Sequence, residues 1–170
     1  MKHAHLPAAA LLATALAMPA QEATAEQNLV LDQLHTLDFN QCRSAAETMA
    51  GVLVDTENHG YSAQWGPDTN DDMLMYTVEN TWDDNSSNIT VGAVAPTTAG
   101  DCDVLRTKVM IANRGCSTMA NDWDLQREGS LNARWIKYTS DDASTETYMH
   151  SVGSSCVIKE VEHVVGMPVD

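Results

Sequence analysis

The densest run of oxygen-bearing side chains is Asp68-Thr69-Asn70-Asp71-Asp72. Asp68, Asn70 and Asp72 take the first, third and fifth places of a calcium loop, and Glu79 takes the twelfth. Calcium is a hard cation that wants several oxygens from one tight loop, so this spacing makes Ca²⁺ the one cofactor to weigh. Two departures oppose it. The sixth place, where the turn needs glycine, is Met73, and the flanking residues alternate as strands do, not helices. The stretch therefore reads first as an acidic, solvated β-turn.

Other chemistry is scattered. Met73 and Met75 form a Met-x-Met pair of the kind that binds copper(I) through thioethers, but two strand methionines read more simply as core filler. His35, His59, His150 and His163 show no local metal-site spacing. His59 precedes Gly60 and is expected to help end a helix. His150 or His163 would be a general base only if folding brought it a carboxylate and a nucleophile. The acid pairs Asp71/Asp72, Asp83/Asp84 and Asp141/Asp142 point to opposite faces of any strand, so none makes a catalytic dyad. Trp82 and Trp123 lie in acidic, turn-like surroundings; exposed, they would anchor a basic protein or stack on a sugar, and otherwise they cap a sheet.

The elements that must position these residues follow from periodicity. Residues 26–37 carry leucines at mixed spacing, a short helix or an extended arm. Asp38 with Gln41 fits a capping box. Ala45, Met49, Val52 and Leu53 form one apolar stripe, which predicts a helix from about Asn40 to Asp55 that stops at Asn58-His59-Gly60. Alternation then predicts strands around Tyr61–Trp65, Leu74–Val78, Ile89–Ala95, Val104–Ala112, Leu131–Tyr138 and Tyr148–Val152. Cys156 to Val165 fits either a helix or a strand. Short turns favour antiparallel pairing. The expected fold is α+β: one N-terminal helix packed on an antiparallel meander of five to six strands, with the opposite sheet face open and more polar.

Residues 1–25 carry Lys2, an apolar stretch from Leu6 to Met18, and Ala23-Thr24-Ala25 at a cleavage site. This is the pattern of a secretory signal peptide, leaving 26–170 as a single acidic domain, periplasmic or extracellular, with no membrane insertion. The chain has 9 Lys+Arg against 24 Asp+Glu, a net charge of −15; Lys2 and Glu22 cancel within the leader. Such a surface repels nucleic acid and suits a basic protein partner. In an oxidising compartment Cys42, Cys102, Cys116 and Cys156 should form two disulfides. Four cysteines allow three pairings, of which Cys102–Cys116 with Cys42–Cys156 is preferred because the first closes a short loop. No internal repeat is visible. The functional expectation is a non-catalytic exported binding protein that engages or restrains a basic protein. A hydrolase built around His150 or His163, or a calcium module at Asp68–Asp72, stands as the alternative. Oligomeric state is not readable from the sequence.

Overall fold

The computed structural model describes residues 28–37, 39–56, 58–66, 73–83, 86–140 and 145–168. The leader lies outside them, as do Asp68, Asn70 and Asp72. Among the described residues there are three helices, α1 (Leu29–Leu34), α2 (Arg43–Leu53) and α3 (Cys116–Asp122). The strands are β1 (His59–Trp65), β2 (Leu74–Thr81), β3 (Ser87–Pro96), β4 (Cys102–Ala112), β5 (Gln126–Ser130), β6 (Ile136–Thr139), β7 (Thr145–Val152) and β8 (Ser155–Met167). They form one antiparallel sheet in the order β1-β2-β3-β4-β8-β7-β6-β5.

The α+β class and the antiparallel pairing hold, but the five to six strands are eight and the helices are not confined to the N-terminus. The sequence Gln126-Arg127-Glu128-Gly129-Ser130 has no apolar alternation because β5 is a largely exposed edge, held by its ladder to β6. The ambiguous segment 156–165 is β8, the strand that joins the two halves of the sheet.

Helix α2 buries Ala45, Ala46, Met49, Ala50 and Leu53, whereas Val52 sits at its exposed margin. Its N-cap is Cys42, without a side-chain cap; Asp38 of the expected capping box lies outside the described residues. Asn58-His59-Gly60 does not stop it. The last turn ends on buried Asn80, whose Nδ2 donates to the Leu53 carbonyl at 2.9 Å and to Asn88 Oδ1 at 3.1 Å. Asn80 Oδ1 accepts the Asp55 N–H at 2.9 Å, so the cap comes from β2, beyond the reach of local pattern. Gly60 lies inside β1. His59 ties β1 to α1: Nε2 accepts the Leu29 N–H at 3.3 Å, which leaves Nδ1 to donate to the Thr56 carbonyl at 2.8 Å.

The disulfides are Cys42–Cys102 and Cys116–Cys156, not Cys102–Cys116 and Cys42–Cys156. The expected short loop fails because β4 runs between Cys102 and Cys116, and its eleven residues hold its ends about 33 Å apart. Each observed bridge joins the start of a helix to the start of the last strand of its own half.

This symmetry extends through the sheet. One half is α2 with β1–β4, the other α3 with β5–β8, and each is a helix followed by a four-stranded meander. The halves meet at β4–β8, where Thr107 faces Val161. A two-fold axis through that pair matches Cys102 with Cys156 and Val104 with Ile158. Following the ladders outward, Val104–Val94–Leu74 matches Ile158–Met149–Ile136. Likewise Arg106–Gly92–Tyr76 matches Glu160–Thr147–Tyr138. Leu74, Tyr76, Val94 and Val104 belong to one buried cluster with α2. Tyr138, Met149 and Ile158 form the second with α3, and Ile136 packs against it. Both helices therefore cover the same face, each over its own half.

Candidate functional site

Strand alternation sends the other residues to the face away from the helices. There Met75–Ala93–Leu105–His163 form one cross-strand row. Thr77–Val91–Thr107–Val161–Glu146–Thr139 form the next. Glu79–Ile89–Val109–Lys159–Tyr148–Lys137 form the third, and Ile111–Val157–His150 the last. No helix among the described residues packs on this face. Its centre is not the polar surface that the sequence suggested: Ile89, Leu105, Val109 and Ile111 are all exposed, Ile111 by 65%. A contiguous apolar patch of this kind marks interaction surfaces in stable domains.

The two-fold match isolates what is peculiar to each half. On the helix side the row Val104–Val94–Leu74 and its match Ile158–Met149–Ile136 are both apolar, and Tyr76 matches Tyr138, since both must fill a core. On the open face the matched positions differ. Met75, Ala93 and Leu105 of the first half stand where the second half has Lys137, Tyr148 and Lys159, and Val91 stands where Glu146 does. The first half is therefore the apolar side of the face and the second is the polar, aromatic side.

On that second side the turn between β5 and β6 rises to form a hollow of about 510 Å³, lined by Leu131, Trp135, Glu146, Tyr148, Lys159 and Val161. The turn is braced from within. Asn132 Oδ1 accepts the N–H groups of Arg134 at 2.8 Å and Trp135 at 3.0 Å, and the Leu131 N–H donates to the Trp135 carbonyl at 3.1 Å. The Trp135 ring lies 5.4 Å from that of His150, and His150 Nδ1 contacts the Arg134 carbonyl at 3.2 Å. Lys137 Nζ reaches Glu146 at 2.7 Å and Glu128 at 2.9 Å, and the Tyr148 hydroxyl donates to the second Glu146 oxygen at 2.7 Å. The bonds from Lys137 and then Tyr148 hold the Glu146 carboxyl below its usual range. The bond to Glu146 pushes the Tyr148 hydroxyl up.

The anticipated site residues are dispersed. Of the calcium set only Glu79 is described, exposed on β2 beside Ile89; the three loop residues lie outside the described residues. Met73 is exposed and Met75 half-buried on the open face, so neither is core filler. Trp82 follows β2, its N–H donating to the Ser86 carbonyl at 2.9 Å, whereas Trp123 is the C-cap of α3, so the two belong to different halves of the fold. His150 is engaged as above and His163 is exposed opposite Leu105; neither meets a carboxylate among the described residues. Nor do those residues contain a group of three or more His, Cys, Asp or Glu fit to hold a metal. Sequence reasoning passed over Trp135, Tyr148 and Lys159. Their signal was present as alternation in Glu146-Thr147-Tyr148 and Lys159-Glu160-Val161, but which alternate faced open space was not.

A second depression, about 300 Å³, lies on the helix side between α2 and β4/β8. Val52, Val104, Val164 and Met167 line it, with Arg106 and Glu162 paired at 2.8 Å on its wall. No protein family, no curated protein and no solved structure matches this chain, so its function must be argued from its own geometry.

Proposed function

We propose that this is an exported, non-catalytic binding protein that engages a basic protein through the open sheet face. The observation that carries the reading is that face, on which no helix among the described residues packs and which is apolar across β3, β4 and β8. Burying exposed Ile89, Leu105, Val109 and Ile111 against a partner is worth about 25 cal/mol per Å² of apolar area, which gives the face a reason to be occupied.

Charge argues for the sign of the partner. Arg43, Arg106, Lys108, Arg114 and Lys137 each lie in an ion pair with a carboxylate of the same chain. The cations are thus largely used internally, and the acid excess that makes the net charge −15 remains for the surroundings. Such a field steers a cationic partner and speeds its encounter. Two disulfides fit an oxidising compartment. No helix among the described residues is long and apolar enough to cross a membrane.

The test uses the intact protein on a matrix, beside an Ile111→Glu/Val109→Glu variant of equal melting temperature. Both are exposed to the exported proteins of the native host. A basic protein held by the wild type at low salt, released as ionic strength rises and not held by the variant supports the reading. Equal retention by wild type and variant, or no salt dependence, overturns it.

A further inference from the structure

We propose that the hollow beside β7 and β8 is a ligand site for an aromatic carboxylate, its ring set against Trp135 and its carboxylate on Lys159. The argument starts from the charges that line the hollow. Glu146 spends one oxygen on Lys137 and the other on Tyr148, and Lys137 also holds Glu128. These groups are satisfied within the protein. Lys159 differs: its ammonium, with three donors, makes no ion pair or hydrogen bond to any described residue, although it faces the same hollow as an acid. What the described residues do not supply is an anion for Lys159.

The walls define the rest of the ligand. Trp135, its ring packed at a 36° tilt against His150 and its backbone fixed by the Asn132-braced turn, presents a planar wall that needs little ordering on binding. Leu131 and Val161 add apolar surface, and the Tyr148 oxygen, its proton committed to Glu146, offers only an acceptor. An aromatic ring joined through two carbons to a carboxylate complements this arrangement, whether it is a free aromatic acid or the C-terminal residue of a peptide. The two-fold match reinforces the assignment. The first half carries Met75, Ala93 and Leu105 where this half carries Lys137, Tyr148 and Lys159, so the scaffold alone does not require these polar side chains. The site takes an anion, and thus stands apart from the basic partner proposed for the apolar half.

The experiment titrates the intact protein, at constant ionic strength, with 3-phenylpropanoate and with its uncharged primary amide. A second pair of probes is a short peptide ending in Phe with a free or an amidated carboxyl. The readout is the Trp135 indole N–H resonance together with the backbone amides of β7 and β8. The carboxylate should bind about tenfold or more tightly than the amide, as one charge-assisted bond implies. Lys159→Gln should erase that preference. Trp135→Leu should weaken both probes, and Trp135→Phe should restore them in part. Binding of the peptide acid alone identifies a peptide terminus as the ligand; binding of both acids identifies a free aromatic acid. Equal affinity for acid and amide in the wild type, or no shift at the hollow at millimolar probe, overturns the proposal, and does so without touching the salt-dependent test of the apolar half.

Discussion

At the scale of single residues the molecule is decided by where polar atoms find partners. Asn80 and Asn88 are buried yet fully engaged, with Thr90 Oγ1 also donating to Asn88 Oδ1 at 3.2 Å and Asn88 Nδ2 reaching Asp55 at 3.1 Å. Asp55 in turn holds Lys108 at 2.6 Å. The Tyr76 hydroxyl contrasts with this network. It is fully buried beside Tyr61, with ring centres 6.3 Å apart, and has no hydrogen-bond partner among the described residues. Burial pushes its pKa up to about 12, with Tyr61 adding to the rise. Removing an unsatisfied hydroxyl relieves a desolvation cost, so Tyr76→Phe should raise stability by about 1 kcal/mol. Chemical denaturation checks this, and a loss of stability would show that the hydroxyl is bonded after all.

The pH response of the Glu146 cluster also belongs to this scale. Lys137 lies above the usual lysine range, chiefly through its bonds to Glu146 and Glu128, whereas Glu146 lies below the usual value of 4.5. A depressed carboxyl stabilises the fold above 4.5 and loses that contribution as pH falls through its folded value. A raised lysine stabilises below its ordinary 10.5 and loses the contribution as pH rises through its folded value. The cluster should therefore stay intact between those limits and open from the acid side first. Because these groups are near the surface, the gain in stability is small, and the measurement is the carboxyl carbon shift of Glu146. A midpoint at or above 4.5 would contradict the bonding described.

At the scale of elements the question is how closely a helix can approach the sheet. Gly92 on β3 lies under α2, and a Cβ there would run into the Met49 side chain and come within 3.0 Å of Leu53. Glycine weakens a strand, so its presence here is explained by the approach it permits. Gly92→Val should lift α2 and cost about 1–3 kcal/mol by overpacking. A thermal melt together with the Met49 methyl shift would register both effects; an unchanged melt would mean that Met49 moves aside freely. In the other half the matched position is Thr147, and its helix α3 is shorter. The stripe of α2 was legible in Ala45, Met49 and Leu53, because helical period is a local property. The end of α2 was not, because its cap is Asn80, which is donated by a strand 27 residues later.

At the scale of the whole molecule the two disulfides anchor the two halves separately. They close separations of 60 and 40 residues, and by chain entropy each restrains the unfolded chain by about 4 kcal/mol. Each half has its own buried cluster, so the bridges should be separable in effect. Replacing Cys116 and Cys156 by serine should expose amides of α3, β6 and β7 to hydrogen exchange while α2 and β2 stay protected. Uniform loss of protection would mean that the sheet unfolds only as one unit.

The strand alternation, the apolar stripe of α2, the acid excess and the even set of cysteines are written in the sequence, because each is a local period or a sum. The partners of Cys42 and Cys116, the meeting of β4 with β8, the matched halves and the hollow under Trp135 are not. They depend on which strand lies beside which, and a backbone ladder bonds equally well to many neighbours. That choice is settled by how two cores close at once, and it alone determines which alternate side chains are left facing open space.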